Sequence, residues 1–165
     1  MKDATTLKVT LPSDREIAFT RVFDAPRQLV FDAWTKPELI KRWLGVRAGW
    51  TFAVCTVDLK VGGKYRWVWR GPGGIEMGMG GTFREIIAPE RVVMTEAFDQ
   101  SWYPGEALTT LTLVERGAKT TATTTIRYES KAARDGVLKS PAQEGFGEGL
   151  DKLAEVLAAM QARGA

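Results

Sequence analysis

Between Thr51 and Tyr128 apolar and polar residues alternate, and glycine or proline breaks the alternation at short intervals. On both flanks the apolar residues recur instead with a helical period. This change of period is the strongest limit on the fold, because a strand-rich middle held between helical segments packs as a sheet with its helices on one side. The alternation predicts strands near Thr51–Leu59, Lys64–Arg70, Ile75–Ile87, Arg91–Asp99, Ala107–Glu115 and Thr120–Tyr128. Gly62-Gly63, Gly71-Pro72-Gly73-Gly74, Pro89-Glu90 and Arg116-Gly117 connect them, and links this short favour antiparallel neighbours.

A first strand, Glu16–Asp24, precedes this block with Ile17, Phe19 and Phe23 on one face. Asp24-Ala25-Pro26 predicts a helix start in which the carboxylate accepts from free backbone amides. Leu29, Val30, Ala33 and Trp34 form that helix's apolar face. Thr35-Lys36-Pro37-Glu38 reads as a capping box opening a second short helix, with Leu39, Ile40, Trp43 and Leu44 on its inner face. Ser140-Pro141-Ala142-Gln143 is a second such box, after which Phe146, Leu150, Leu153, Leu157 and Met160 make one stripe of a long terminal helix. No repeat or linker interrupts residues 1–165, so one domain is expected, with its core between residues 16 and 160. The expected class is α+β: a curved antiparallel sheet of about seven strands around a long C-terminal helix, with two short helices after strand 1. That topology is a helix grip.

The 23 basic and 20 acidic side chains are scattered, without a stripe that would track a phosphate backbone, so nucleic acid is not an expected partner. Histidine is absent, which removes the commonest general base, the usual Ser and Cys triads and most transition-metal sites. No metal or cofactor is expected. The lone Cys55 sits in a strand-like run and reads as a buried, inert thiol that asks for no oxidising compartment. No signal peptide is read at the N-terminus, and no apolar run approaches the roughly 20 residues that span a bilayer. A cytoplasmic location away from membranes is the expectation.

Several residues qualify as lining for an internal pocket. Strand Lys64–Arg70 puts Tyr65, Trp67 and Trp69 on one face, where they either border a cavity or simply pack. Met77 and Met79 alternate with Gly78 and Gly80, and methionine adapts to irregular apolar guests as readily as it fills core gaps. Gly80-Gly81 suggests a bulge or sharp bend. Glu96 shares its parity with Val92, Met94 and Phe98, so an inward-facing bulky side would set a carboxylate on an apolar wall. There it needs a partner or a raised pKa, and it could orient a ligand hydroxyl or amine or act as a general acid–base. The alternatives are an outward-facing strand or a structural pair with arginine. Gly149 removes volume beside the Phe146–Leu153 stripe, either to make room for a guest or to let helix and sheet approach. Trp102-Tyr103-Pro104-Gly105 lies between two strands, where the aromatics would cover a cavity mouth or mark a protein contact.

Specific strings link these elements: Phe23-Asp24-Ala25-Pro26, Val30-Phe31-Asp32-Ala33-Trp34, Arg42-Trp43, Asp58-Leu59-Lys60-Val61-Gly62-Gly63-Lys64-Tyr65, Pro89-Glu90-Arg91-Val92 and Gly149-Leu150-Asp151-Lys152-Leu153. In this order they resemble the bacterial relatives of the activator of the heat-shock-90 chaperone ATPase, within the START-like (Bet v 1-like, SRPBCC) superfamily. The resemblance runs from about Glu16 to Met160 and implies a helix-grip domain whose cavity holds hydrophobic molecules in many members. It supplies no single catalytic signature. By strand parity the cavity positions would be Trp67, Trp69, Met77, Glu96, Tyr128 and Phe146.

Three functions follow as expectations. The first is binding of an apolar or aromatic small molecule, without catalysis. The second is a cyclase, dehydratase or hydrolase with Glu96 as acid–base and Tyr128 orienting or donating. The third is a chaperone-associated interaction module. A homodimer through an edge strand or the Trp102 loop is a further expectation.

Overall fold

A computed structural model describes residues 7–100, 105–140 and 142–164, with the side chains of 142, 143 and 164 left aside. Among the described residues eight strands form one antiparallel sheet: β1 (Lys8–Thr10), β2 (Glu16–Phe23), β3 (Thr51–Val57), β4 (Lys64–Arg70), β5 (Glu76–Ile87), β6 (Arg91–Phe98), β7 (Ala107–Arg116) and β8 (Lys119–Arg127). Their spatial order is β1-β2-β8-β7-β6-β5-β4-β3, so the meander from β3 to β8 is closed by β2, which pairs with the last strand. The helices are α1 (Arg27–Thr35), α2 (Pro37–Ile40), α3 (Lys131–Leu138) and α4 (Ala142–Gly164). Among the described residues no helix is long and apolar enough to cross a membrane.

Alternation predicts the strand bounds to within two residues, most cleanly where buried and less buried positions alternate, as along β7 and β8. Two elements escaped it. β1 has three exposed residues and no period to read, and α3 is eight residues long, opened by the Ser130 hydroxyl, which accepts from Ala133 N–H at 3.0 Å.

The expected caps are corrected by partners from elsewhere in the chain. At α1 the N-cap residue is Pro26 without a side-chain bond, and the Arg27 N–H is satisfied at 2.8 Å by Glu115 of β7 rather than by Asp24. Thr35 does not cap α2. It ends α1, and its hydroxyl donates back to the Phe31 carbonyl at 2.8 Å. α2 is accordingly one turn, and the chain tightens through Lys41–Leu44 while keeping Ile40 and Trp43 fully buried. Of the last predicted box, Ser140 donates to the Val137 carbonyl at 2.7 Å, and Pro141 and the Gln143 side chain lie outside the described residues.

Gly80-Gly81 is not the site of the register shift, which falls between Phe83 and Glu85. At Gly81 the β5–β6 ladder is interrupted, and the Thr82 N–H bonds to the Thr95 hydroxyl at 2.9 Å instead.

α4 lies across the sheet with Leu150, Leu153, Val156 and Leu157 buried against it. The buried apolar residues fall into two clusters. The larger joins α1, α2 and α4 to β4–β8; the smaller groups Ile17, Phe19, Ala107, Tyr128, Ala133 and Val137. Phe98 and Phe146 touch both. The core is therefore divided, and the seam is where the pocket lies.

Candidate functional site

A pocket of about 280 Å³ occupies this seam, between the inner face of the sheet and the first half of α4. One wall is β4 and β5: Trp67 and Trp69 are buried, as is Met79, and Met77 is half-buried towards the opening. β6 adds Met94, Glu96 and Phe98, β7 and β8 add Thr109, Thr124 and Ile126, and Tyr128 follows β8. Trp34 of α1 and Phe146 of α4 stand over them, with ring centroids 6.1 Å apart. Residues 44–47 and Trp50 border the mouth, where the Arg47 guanidinium lies 5.2 Å from the Trp50 ring.

Of the residues singled out from sequence, Trp67, Trp69, Met77, Met79, Glu96, Tyr128, Phe146 and Gly149 all border this space. Trp102 lies outside the described residues. Met94 and Phe98 share Glu96's parity and Thr124 and Ile126 share Tyr128's, so strand parity held the signal for them. Phe19 shared the face read for the first strand, and Trp34 and Leu44 the apolar faces read for the two short helices; nothing comparable marked Val137, Gly45, Val46, Arg47 or Trp50.

That loop is tied to the wall. The Trp69 indole N–H donates to the Leu44 carbonyl at 3.0 Å, and the next residue, Gly45, has a φ of +67° and passes so close that a Cβ would sit 2.5 Å from Trp69 Nε1. Only glycine fits both demands.

The register explains why a carboxylate is tolerated on an apolar wall. Tyr65 pairs with Gly81, and Glu96 pairs with Ala107. The flanking pairs Gly80–Ala97 and Phe83–Met94 place Gly81 opposite Glu96, and Leu108–Arg127 places Ala107 opposite Tyr128 when the register is continued one step. One row across the inner face thus reads Tyr65, Gly81, Glu96, Ala107, Tyr128. The smallest side chains flank Glu96 on both neighbouring strands, and the Thr109 hydroxyl donates to its Oε1 at 3.3 Å. Burial first, and then the Glu96 charge, push the phenols of Tyr65 and Tyr128 well above their ordinary value, with Glu106 adding to the effect at Tyr65. Both stay protonated at neutral pH. The Tyr65 hydroxyl is already committed to the Thr95 carbonyl at 2.6 Å. Cys55 takes no part: half-buried on β3, its thiol is pushed up to about 11 by desolvation, partly offset by Lys41.

Gly149 does not serve close helix packing. A Cβ there would meet Trp43 at 3.6–3.8 Å, ordinary contact, and at Gly145 it would meet nothing within 4 Å. Gly145→Ala and Gly149→Ala are each expected to stabilise the protein by up to about 1 kcal/mol through helix propensity alone. Thermal melts check this, and a fall in melting temperature for either variant would contradict it.

The family model described as Activator of Hsp90 ATPase homolog 1-like protein matches residues 24–158. No curated protein matches the chain. Among solved structures, a protein from Rhodobacter sphaeroides is 30% identical, covering 93% of this chain and 99% of that one at a TM-score of 0.88. A Nitrosomonas europaea protein is 24% identical over 92% of this chain and 99% of its own, with a TM-score of 0.80. CalU16 from Micromonospora echinospora shares the fold at 21% identity and a TM-score of 0.61, covering 96% of this chain and 87% of that one. With the helix-grip architecture in place and the family model spanning most of its length, the chain belongs to the Activator of Hsp90 ATPase homolog 1-like family.

Proposed function

We propose that this protein binds a compact apolar or aromatic molecule in the pocket between β4–β8 and α4. The supporting observation is a pocket of about 280 Å³ walled by tryptophan, phenylalanine and methionine at the seam between the two core clusters. Close packing is the rule inside proteins, so large apolar side chains that border a shared pocket rather than one another suit a guest. Ligand pockets run from roughly 300 to 1,000 Å³, which puts this one at the small end and suits a molecule of one or two rings.

Trp34, Trp50, Trp67 and Trp69 all border the space, so a guest should alter the intrinsic fluorescence. Native mass spectrometry of the purified protein, followed by titration with one- and two-ring compounds, tests the reading. A stoichiometric co-purifying mass or a saturable fluorescence change is the expected result. The absence of both across the panel would overturn it.

The family description supports a second reading, contact with an Hsp90-type chaperone. It predicts stimulated ATP hydrolysis when this protein is added in excess to the chaperone, and an unchanged rate would remove it.

A further inference from the structure

Four tryptophans are buried among the described residues, and their indole N–H groups are of two kinds. Trp43 donates to the Ala33 carbonyl at 2.9 Å, and Trp69 to the Leu44 carbonyl at 3.0 Å. Trp34 and Trp67 are more than nine-tenths buried, yet the Nε1 of each has no hydrogen-bond partner. An indole N–H can only donate, and a buried one ordinarily finds an acceptor, so two such orphans ask for a cause. Their surroundings supply it. Trp34 meets the rings of Trp43 and Phe146, Trp67 meets those of Tyr65 and Trp69, and an aromatic face is a weak acceptor. Both residues border the pocket, Trp34 from α1 and Trp67 from β4. The chain's own carbonyls thus serve the indoles that fix the turn after α2 and the mouth loop. The two left without an acceptor both belong to the pocket wall.

We propose that the pocket selects a compact aromatic molecule carrying a neutral carbonyl group, whose oxygen accepts from the indole N–H of Trp34, of Trp67 or of both. This rests on the pocket reading above and adds the chemical class of the guest. Neither nitrogen is open to solvent, so the acceptor meets it as the edge of the indole turns towards the guest. A carbonyl suits this wall better than an anion, which would give up its hydration for one or two neutral hydrogen bonds. A buried donor without a partner is destabilising, and a guest that satisfies it removes that penalty on binding. A hydrocarbon of the same shape does not.

The test compares acetylnaphthalene with isopropenylnaphthalene substituted at the same ring position, two probes of one shape that differ in an oxygen against a methylene group. Each is titrated by tryptophan fluorescence at neutral pH against the full chain, Trp34→Phe and Trp67→Phe. In the wild-type protein the acetyl probe is expected to bind about fivefold or more tighter than the isopropenyl probe. In at least one variant that advantage should shrink to about twofold or less, whatever contact both probes lose there. NMR spectra of the wild type with labelled tryptophan give a second readout. The indole proton of Trp34 or Trp67 should move downfield on saturation with the acetyl probe and not with the isopropenyl one. Equal binding of the two probes to the wild type, or an advantage that survives in both variants, overturns this inference and leaves the pocket reading standing. Failure of both probes to bind removes the pocket reading and this inference with it. The wild-type ratio and spectra decide the matter even where a variant does not fold.

Discussion

Trp43→Ala is expected to destabilise the protein by about 3–5 kcal/mol, the range for truncating a large buried aromatic residue. Trp43 is fully buried in the turn after α2, its indole N–H donates to the Ala33 carbonyl at 2.9 Å, and its ring meets Trp34 edge-on at 4.8 Å. Truncation leaves a void beneath α4 and strands a buried carbonyl, two losses that add. A chain this size has roughly 5–15 kcal/mol in total, so the melting temperature should fall by on the order of 10 °C. Trp43→Phe keeps most of the volume and loses only the hydrogen bond, so it should lie well under half of that. Urea titrations of both variants check the pair, and a loss below about 1 kcal/mol for Trp43→Ala would show that the surrounding helices collapse into the space.

How much of this was legible in the chain depends on the distance between cause and effect. β4 could be read to the residue because Tyr65, Trp67 and Trp69 alternate with Arg66 and Arg70, and the structure buries the three aromatics. On β6 the same rule grouped Glu96 with Val92, Met94 and Phe98 but left open which face turns inward, and the structure sets that group on the pocket side. The stripe of α4 was equally local. The caps were not, because Arg27 finds its acceptor on Glu115, 88 residues on, and no local pattern encodes that bond. The mouth was opaque for a similar reason. Gly45 reads as a loop glycine until Trp69, distant in sequence, is seen to press against it. Thr109 was a plain β-branched strand former in sequence, and only the register turns it into a polar point on the pocket wall.

Gly81 shows the same limit and yields the second large effect. Gly81→Ala is expected to destabilise by about 2–3 kcal/mol, near the top of the usual range for overpacking. Its added methyl would lie 2.6 Å from the Thr95 carbonyl carbon, closer still to that oxygen, and 2.7 Å from Thr95 Oγ1. Backbone of a neighbouring strand cannot swing aside, so β5 and β6 would have to part where their ladder is already interrupted. Gly78→Ala, on the same strand, is the control. Its Cβ would meet the ends of Asp99 and Arg66, with Arg66 Nη2 at 2.7 Å, on an exposed face where both side chains can move. That substitution should cost less than about 1 kcal/mol, since exposed ion pairs contribute little. Thermal melts of the two variants check the difference. Equal losses of stability at Gly78 and Gly81 would mean that the strands yield as easily as side chains do.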